Sequence, residues 1–178
     1  MRLSFLFAAL SVFASGACAE GAIDFAAMPK GCSWQTKFSD GAVQKETFVG
    51  KVRGKYRVKA VDAQSGAAIN TVDYDANGLM VRRTWADGRW ERFDPFSCFT
   101  VPGPCTYVYR NGAGDNMTIN SKVSRTTAKS FISAASPSGG PAYPTERFTL
   151  GPFGLMTSSK SANYATKIVK FIGCGLES

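Results

Sequence analysis

From residue 32 onward, apolar and polar positions alternate by twos. In CSWQTKF, residues 32–38, Cys32, Trp34, Thr36 and Phe38 fall on one face, and Asp40-Gly41 follows at once. Alternation of this kind marks a half-buried strand, and Asp-Gly or Asn-Gly between two such runs is the strongest short-range hairpin signal. AVQKETFV follows the first turn, KYRVKAVD and AAINTVDYD flank AQSG, Asn77-Gly78 leads to LMVRRTWA, and Asp87-Gly88 leads to RWERFD. Further strands are predicted in CTYVYRN, NMTINSKVSRTT, KSFISAAS, TERFTL, GLMTSS and ATKIVKFIGC. In the last of these, Ile168, Val169, Phe171 and Ile172 favour strand over helix. PSGGPAYP, residues 137–144, has the composition of a long exposed loop. The pattern predicts an all-β, single antiparallel domain of about ten to eleven short strands, either a sandwich or a closed meander barrel.

The first residues break the pattern. Arg2 precedes an apolar run from Leu3 to about Ala14, and small residues end in Ala17-Cys18-Ala19. This is a secretory signal with cleavage after Ala19, so residues 1–19 are expected to leave and residues 20–178 to form the domain. The run is too short for a permanent helical span, and no later stretch is apolar enough to replace it. A membrane β-barrel also alternates by twos, but lysines on nearly every strand argue against a lipid-facing exterior. The mature chain is expected to be soluble, in the periplasm or secreted.

Export changes the reading of the cysteines. Cys18 leaves, and Cys32, Cys98, Cys105 and Cys174 remain, an even number in an oxidising compartment. The predicted pairs are Cys98–Cys105, a local loop, and Cys32–Cys174, a clasp between the chain's two ends. The chain has no histidine, and six residues separate Cys98 from Cys105, so neither a zinc site nor a C-x-x-C redox pair fits. A structural disulfide closing FTVPGP remains. Phe99 and Val101 in that loop either fold onto the core or form a rigid tip that docks a protein partner.

Charge adds a candidate surface. The full chain carries 21 Lys plus Arg against 13 Asp plus Glu. Loss of Arg2 leaves 20 against 13, about +7, a field that favours anionic partners. In KVRGKYRVK, Lys51, Arg53, Lys55, Arg57 and Lys59 occupy every second position. On one continuous strand they would form a basic row roughly 26 Å long. The row suits phosphate-rich polymers or acidic lipid headgroups; export makes nucleic acid a poor candidate. The competing explanation is that solvent faces of strands are polar anyway and that lysines protect sheet edges.

Other chemistry is sparse. DYDANG, residues 73–78, opens like a calcium loop with Asp73, Asp75, Asn77 and Gly78, but position twelve is Thr84 rather than Glu. YDANGLMVRRTWADGRW, residues 74–90, resembles one unit of the YD repeats of large bacterial secreted β-shell proteins; as a single copy, it implies a hairpin only. Trp85, Trp90, Tyr107 and Tyr109 are candidates for a stacking surface, although aromatic residues on strands are more often core. No Ser-His-Asp triad is possible without histidine, and neither Glu91 with Asp94 nor Asp73 with Asp75 stands out as a carboxylate pair. The expected protein is a non-enzymatic binding module without cofactor that recognises an anionic envelope polymer or lipid headgroups. The alternatives are docking through the loop at 98–105 and carriage of a small apolar ligand.

Overall fold

The structure is a computed structural model that describes residues 22–99 and 101–176; the expected leader, residues 1–19, lies outside them. Twelve strands run in chain order: β1 Ser33–Phe38, β2 Val43–Val52, β3 Lys55–Asp62, β4 Ala68–Tyr74, β5 Met80–Trp85, β6 Trp90–Asp94, β7 Gly103–Asn111, β8 Asn116–Arg125, β9 Ser130–Pro137, β10 Glu146–Leu150, β11 Met156–Lys160 and β12 Ala165–Ile172. Each strand pairs antiparallel with the next, and β12 closes onto β1. The architecture is therefore the closed meander barrel and not the sandwich, with one or two strands more than the alternation predicts.

The turns realise the sequence signals. Gly41, Gly78 and Gly88 all have positive φ, at 91°, 74° and 87°. The aspartate ahead of each accepts backbone N–H groups: Asp40 from Ala42, Asp75 from Asn77 and Leu79, Asp87 from Arg89. The Asp75 carboxylate is thus part of a hairpin turn, and Asp73 lies on β4 in an ion pair with Arg57. Among the described residues, no group of three or more His, Cys, Asp or Glu is placed to hold a metal ion.

Turns alternate between the two ends of a meander. At one end, residues 22–32 cover the barrel. Asp24 N–H donates to Phe153 O at 2.9 Å, Gly31 N–H to Phe48 O at 2.8 Å, and Ile23 N–H to Gly78 O at 3.4 Å. Phe25 reaches in between Phe48, Tyr56 and Tyr74, with ring centroids 4.8–5.0 Å away. A Cβ on Gly78 would lie 2.0 Å from the carbonyl oxygen of Ile23, so only glycine lets this plug seat. Cys32–Cys174 locks the segment that follows the plug to the chain's end, with Cα atoms 4.4 Å apart.

Inward positions build the core. Trp34, Phe48, Val58 and Ile168 join Phe25 and Met28 in the cluster below the plug, and two smaller clusters centre on Tyr107 with Ile119 and on Phe131 with Phe148. Outward positions on the same strands carry Lys37, Lys45, Arg57, Lys59, Arg82, Lys122 and Lys167. A lipid-facing barrel shows an apolar band there. Two disulfides, Cys32–Cys174 and Cys98–Cys105, fit an oxidising compartment.

The two disulfides differ in the loop they close. In the chain-entropy view, a separation of 142 residues contributes about 5 kcal/mol and a separation of seven about 2.5 kcal/mol. Replacing Cys32 and Cys174 by Ser should therefore lower the unfolding free energy by roughly twice as much as replacing Cys98 and Cys105, as read from urea midpoints at equal slope.

Candidate basic face and barrel lumen

The five cations from Lys51 to Lys59 do not form one row. Arg53 and Gly54 both have positive φ, at 51° and 79°, and make a two-residue hairpin turn between β2 and β3. The turn needs positive φ at both central residues, and Gly54 meets that demand without a steric cost. Its presence inside an alternating run was the available signal. Lys51 lies opposite Tyr56 in the register, and its Nζ is 4.9 Å from that ring's centroid. Lys55, Arg57 and Lys59 remain on one outer face of β3. Arg57 is bidentate to Asp73, at 2.7 and 3.0 Å, so its charge is matched.

A different basic face appears where the chain's ends meet. Strands β10, β11, β12, β1 and β2 carry only two carboxylates, Glu146 and Glu46. Both turn inward: Glu46 accepts from Thr36, and Glu146 accepts from the buried Ser159. The outer positions hold Lys37, Lys45, Arg147, Lys160, Lys167 and Lys170, and none of these six forms an ion pair among the described residues. Five strands span roughly 20 Å at the usual spacing.

The register within this face is unfavourable. Lys37 lies directly opposite Lys167, and Arg147 directly opposite Lys160. Like charges in such positions destabilise a sheet. The rest of the barrel avoids the problem: Arg57 faces Asp73, Arg83 faces Glu91, and Arg92 opposite Arg110 shares Asp94. Edge protection cannot account for the lysines either, because a closed barrel has no edge.

The lumen has its own electrostatics. The Glu46 carboxyl lies inside the barrel, and desolvation raises its pKa above the usual carboxylate value, opposed by hydrogen bonds from Thr36, Gln44 and Trp34. Arg83 Nη1 donates to Glu91 Oε1 at 2.7 Å, while Arg83 Nε is buried without a partner. Burial pushes the Tyr107 hydroxyl up to about 12. Glu91 points into the barrel and Asp94 points out to Arg92, so they do not act as a pair.

The clasped loop folds back. Phe99 is half-buried against Phe93, Phe96 and Tyr107, with centroids 5.2, 5.0 and 4.7 Å away, whereas Val101 is 42% exposed. Closing the loop at Cys98–Cys105 turns the Phe99 ring towards the apolar lumen and leaves Val101 as the more exposed of the two candidate docking residues. The aromatic candidates also divide. Tyr107 is core. Trp85 and Tyr109 line the rim with Trp90, whose ring carries Arg82 4.6 Å from its centroid.

Comparison with protein-family models, curated proteins and solved structures finds no match. The site must be read from its own chemistry.

Two measurements test these assignments. Lys167→Glu converts the Lys37–Lys167 contact into an attractive pair and should raise stability by about 0.2–1 kcal/mol at low salt, fading as salt is added. Glu46→Gln should also stabilise at neutral pH. Because the folded pKa of Glu46 is raised, its contribution is fully present below the unfolded value and is lost as pH rises through the folded one. The wild-type minus Gln difference in unfolding free energy should fall across that window; a flat difference would show that Glu46 is not desolvated.

Proposed function

We propose that this protein is an exported binding module that recognises an anionic envelope component through the outer face of β10, β11, β12, β1 and β2. The observation that carries this reading is the pair of like-charged register partners, Lys37 opposite Lys167 and Arg147 opposite Lys160, on strands whose outer positions carry no carboxylate among the described residues. A phosphate or sulfate group between two such cations removes their repulsion and gains two charge-assisted contacts. The fold bears a cost that an anion reverses.

Lys59 extends the face on β3. It lies opposite Thr47, diagonal to Lys45 on β2. Arg57, matched by Asp73, adds little. Each cation near an anionic surface contributes about 1 kcal/mol, attenuated by salt. Four or more acting together reach useful affinity only on a polyvalent ligand, such as a charged glycan or a headgroup surface. Export through the leader at residues 1–19 would place the protein among such ligands.

The test uses the oxidised chain from Glu20. Binding is measured across a salt series to phosphatidylglycerol vesicles, phosphatidylcholine vesicles, dextran sulfate and neutral dextran. The variant Lys37→Gln, Arg147→Gln, Lys160→Gln, Lys167→Gln should weaken binding to the anionic probes by about tenfold or more. The variant Lys55→Gln, Arg57→Gln, Lys59→Gln should change it less. Vesicles and dextran sulfate separate a headgroup from a glycan as the source of charge. Equal binding by wild type and the first variant, both correctly folded, would overturn the proposal.

A further inference from the structure

The three carboxylates inside the barrel have different fates. Glu46 is desolvated and held by Thr36, and Glu91 is ion-paired with Arg83. Glu146 has no cationic partner among the described residues, in a chain whose formal charge is +8. Its neighbours are neutral hydroxyls: the buried Ser159 donates to it, and the hydroxyl of Tyr164 lies within hydrogen-bonding reach of both. A half-buried carboxylate with no counter-ion, where the protein has cations in surplus, is the unusual feature.

Glu146 borders a cavity of about 220 Å³ in the lumen. Four aromatic rings share its wall, Phe99, Tyr107, Tyr143 and Tyr164, and Glu146 is the only charged residue in the lining. Each ring comes from a different element. Phe99 is placed by the disulfide-clasped loop, Tyr107 by β7, Tyr143 by the long β9–β10 connection and Tyr164 by the β11–β12 turn. Tyr143 and Tyr164 are 43% and 44% exposed, so the aromatic wall continues to the surface. Exposed tyrosines, flanked by Ser161 and Asn163, border a cavity that reaches a carboxylate without a cationic partner among the described residues, so the entrance is largely aromatic and its base negative.

We propose that this cavity binds a small organic cation, an ammonium group carrying methyl or methylene substituents, against Glu146 and the rings of Phe99, Tyr107, Tyr143 and Tyr164. The faces of aromatic rings are electronegative and attract cations most strongly where water is excluded. Alkyl substituents match the apolar wall, and the carboxylate supplies the counter-charge. The volume fits one compact group and is smaller than pockets that take drug-sized ligands. An anion is repelled from the only charge in the lining. The site is independent of the outer basic face, which carries the opposite sign.

The test compares choline with its uncharged isostere 3,3-dimethylbutan-1-ol, and with glucose, by calorimetric titration and by NMR shifts of the oxidised protein. Choline should bind saturably and the isostere about tenfold or more weakly. Glu146→Gln should weaken choline binding to a similar degree while leaving the isostere unchanged. Tyr164→Phe, which keeps the ring, should retain binding that Tyr164→Ala loses. The quadruple basic-face variant should bind choline as wild type does, so failure here is distinguishable from failure of the outer face. Because choline and isostere are compared on the wild-type protein, the result does not depend on a variant folding. Equal affinity for choline and the isostere, saturable binding of glucose alone, or no saturable choline signal would overturn the proposal.

Discussion

Closure of β12 onto β1 is the constraint on which the other features depend. A meander of twelve strands left open would expose two long edges; pairing Ser33–Phe38 with Ala165–Ile172 removes both. Cys32–Cys174 sits at the end of that seam and keeps the two strands together even when local contacts fluctuate. Once the sheet is closed, every strand has one face in the lumen and one in solvent. The side of each charge is then decided by its parity in the register.

That parity sorts the charges unequally. On the five strands around the seam, both carboxylates fall inside and six cations fall outside. Elsewhere cations lie within reach of carboxylates: Arg57 pairs with Asp73 and Arg83 with Glu91, and Arg92 and Arg110, opposite each other, share Asp94. The seam therefore carries a local cost that the rest of the barrel avoids. The same sorting places Glu146 in the lumen without a cationic partner among the described residues. The outer face and the inner cavity are two consequences of one register, opposite in sign and separated by the thickness of the sheet.

The plug and the clasp do the complementary work of filling the lumen. Phe25 occupies one end against Phe48, Tyr56 and Tyr74, a position available because Gly78 has no side chain to meet Ile23. Cys98–Cys105 turns Phe99 against Tyr107. One space left unfilled is the side bounded by the β9–β10 and β11–β12 connections, where Tyr143 and Tyr164 remain partly exposed. The clasped loop borders this space through Phe99 and does not fill it.

The alternation by twos, the Asp-Gly and Asn-Gly turns and the four cysteines that follow the expected leader were enough to determine an all-β domain with two disulfides. Those signals are local or depend on composition, so they survive without a partner strand. The hairpin at Arg53-Gly54 was harder to read, because an arginine with positive φ is uncommon and the surrounding alternation runs through it unbroken. Period two determines which residues of a strand share a face. It does not determine which strand lies next to it, which face is the lumen, or which residue stands opposite. Lys37 and Lys167 are 130 positions apart in the chain, and only barrel closure sets them side by side. Tyr164, Glu146 and Phe99 meet for the same reason. Their chemistry is written in the sequence, but the distances between them belong to the tertiary structure alone.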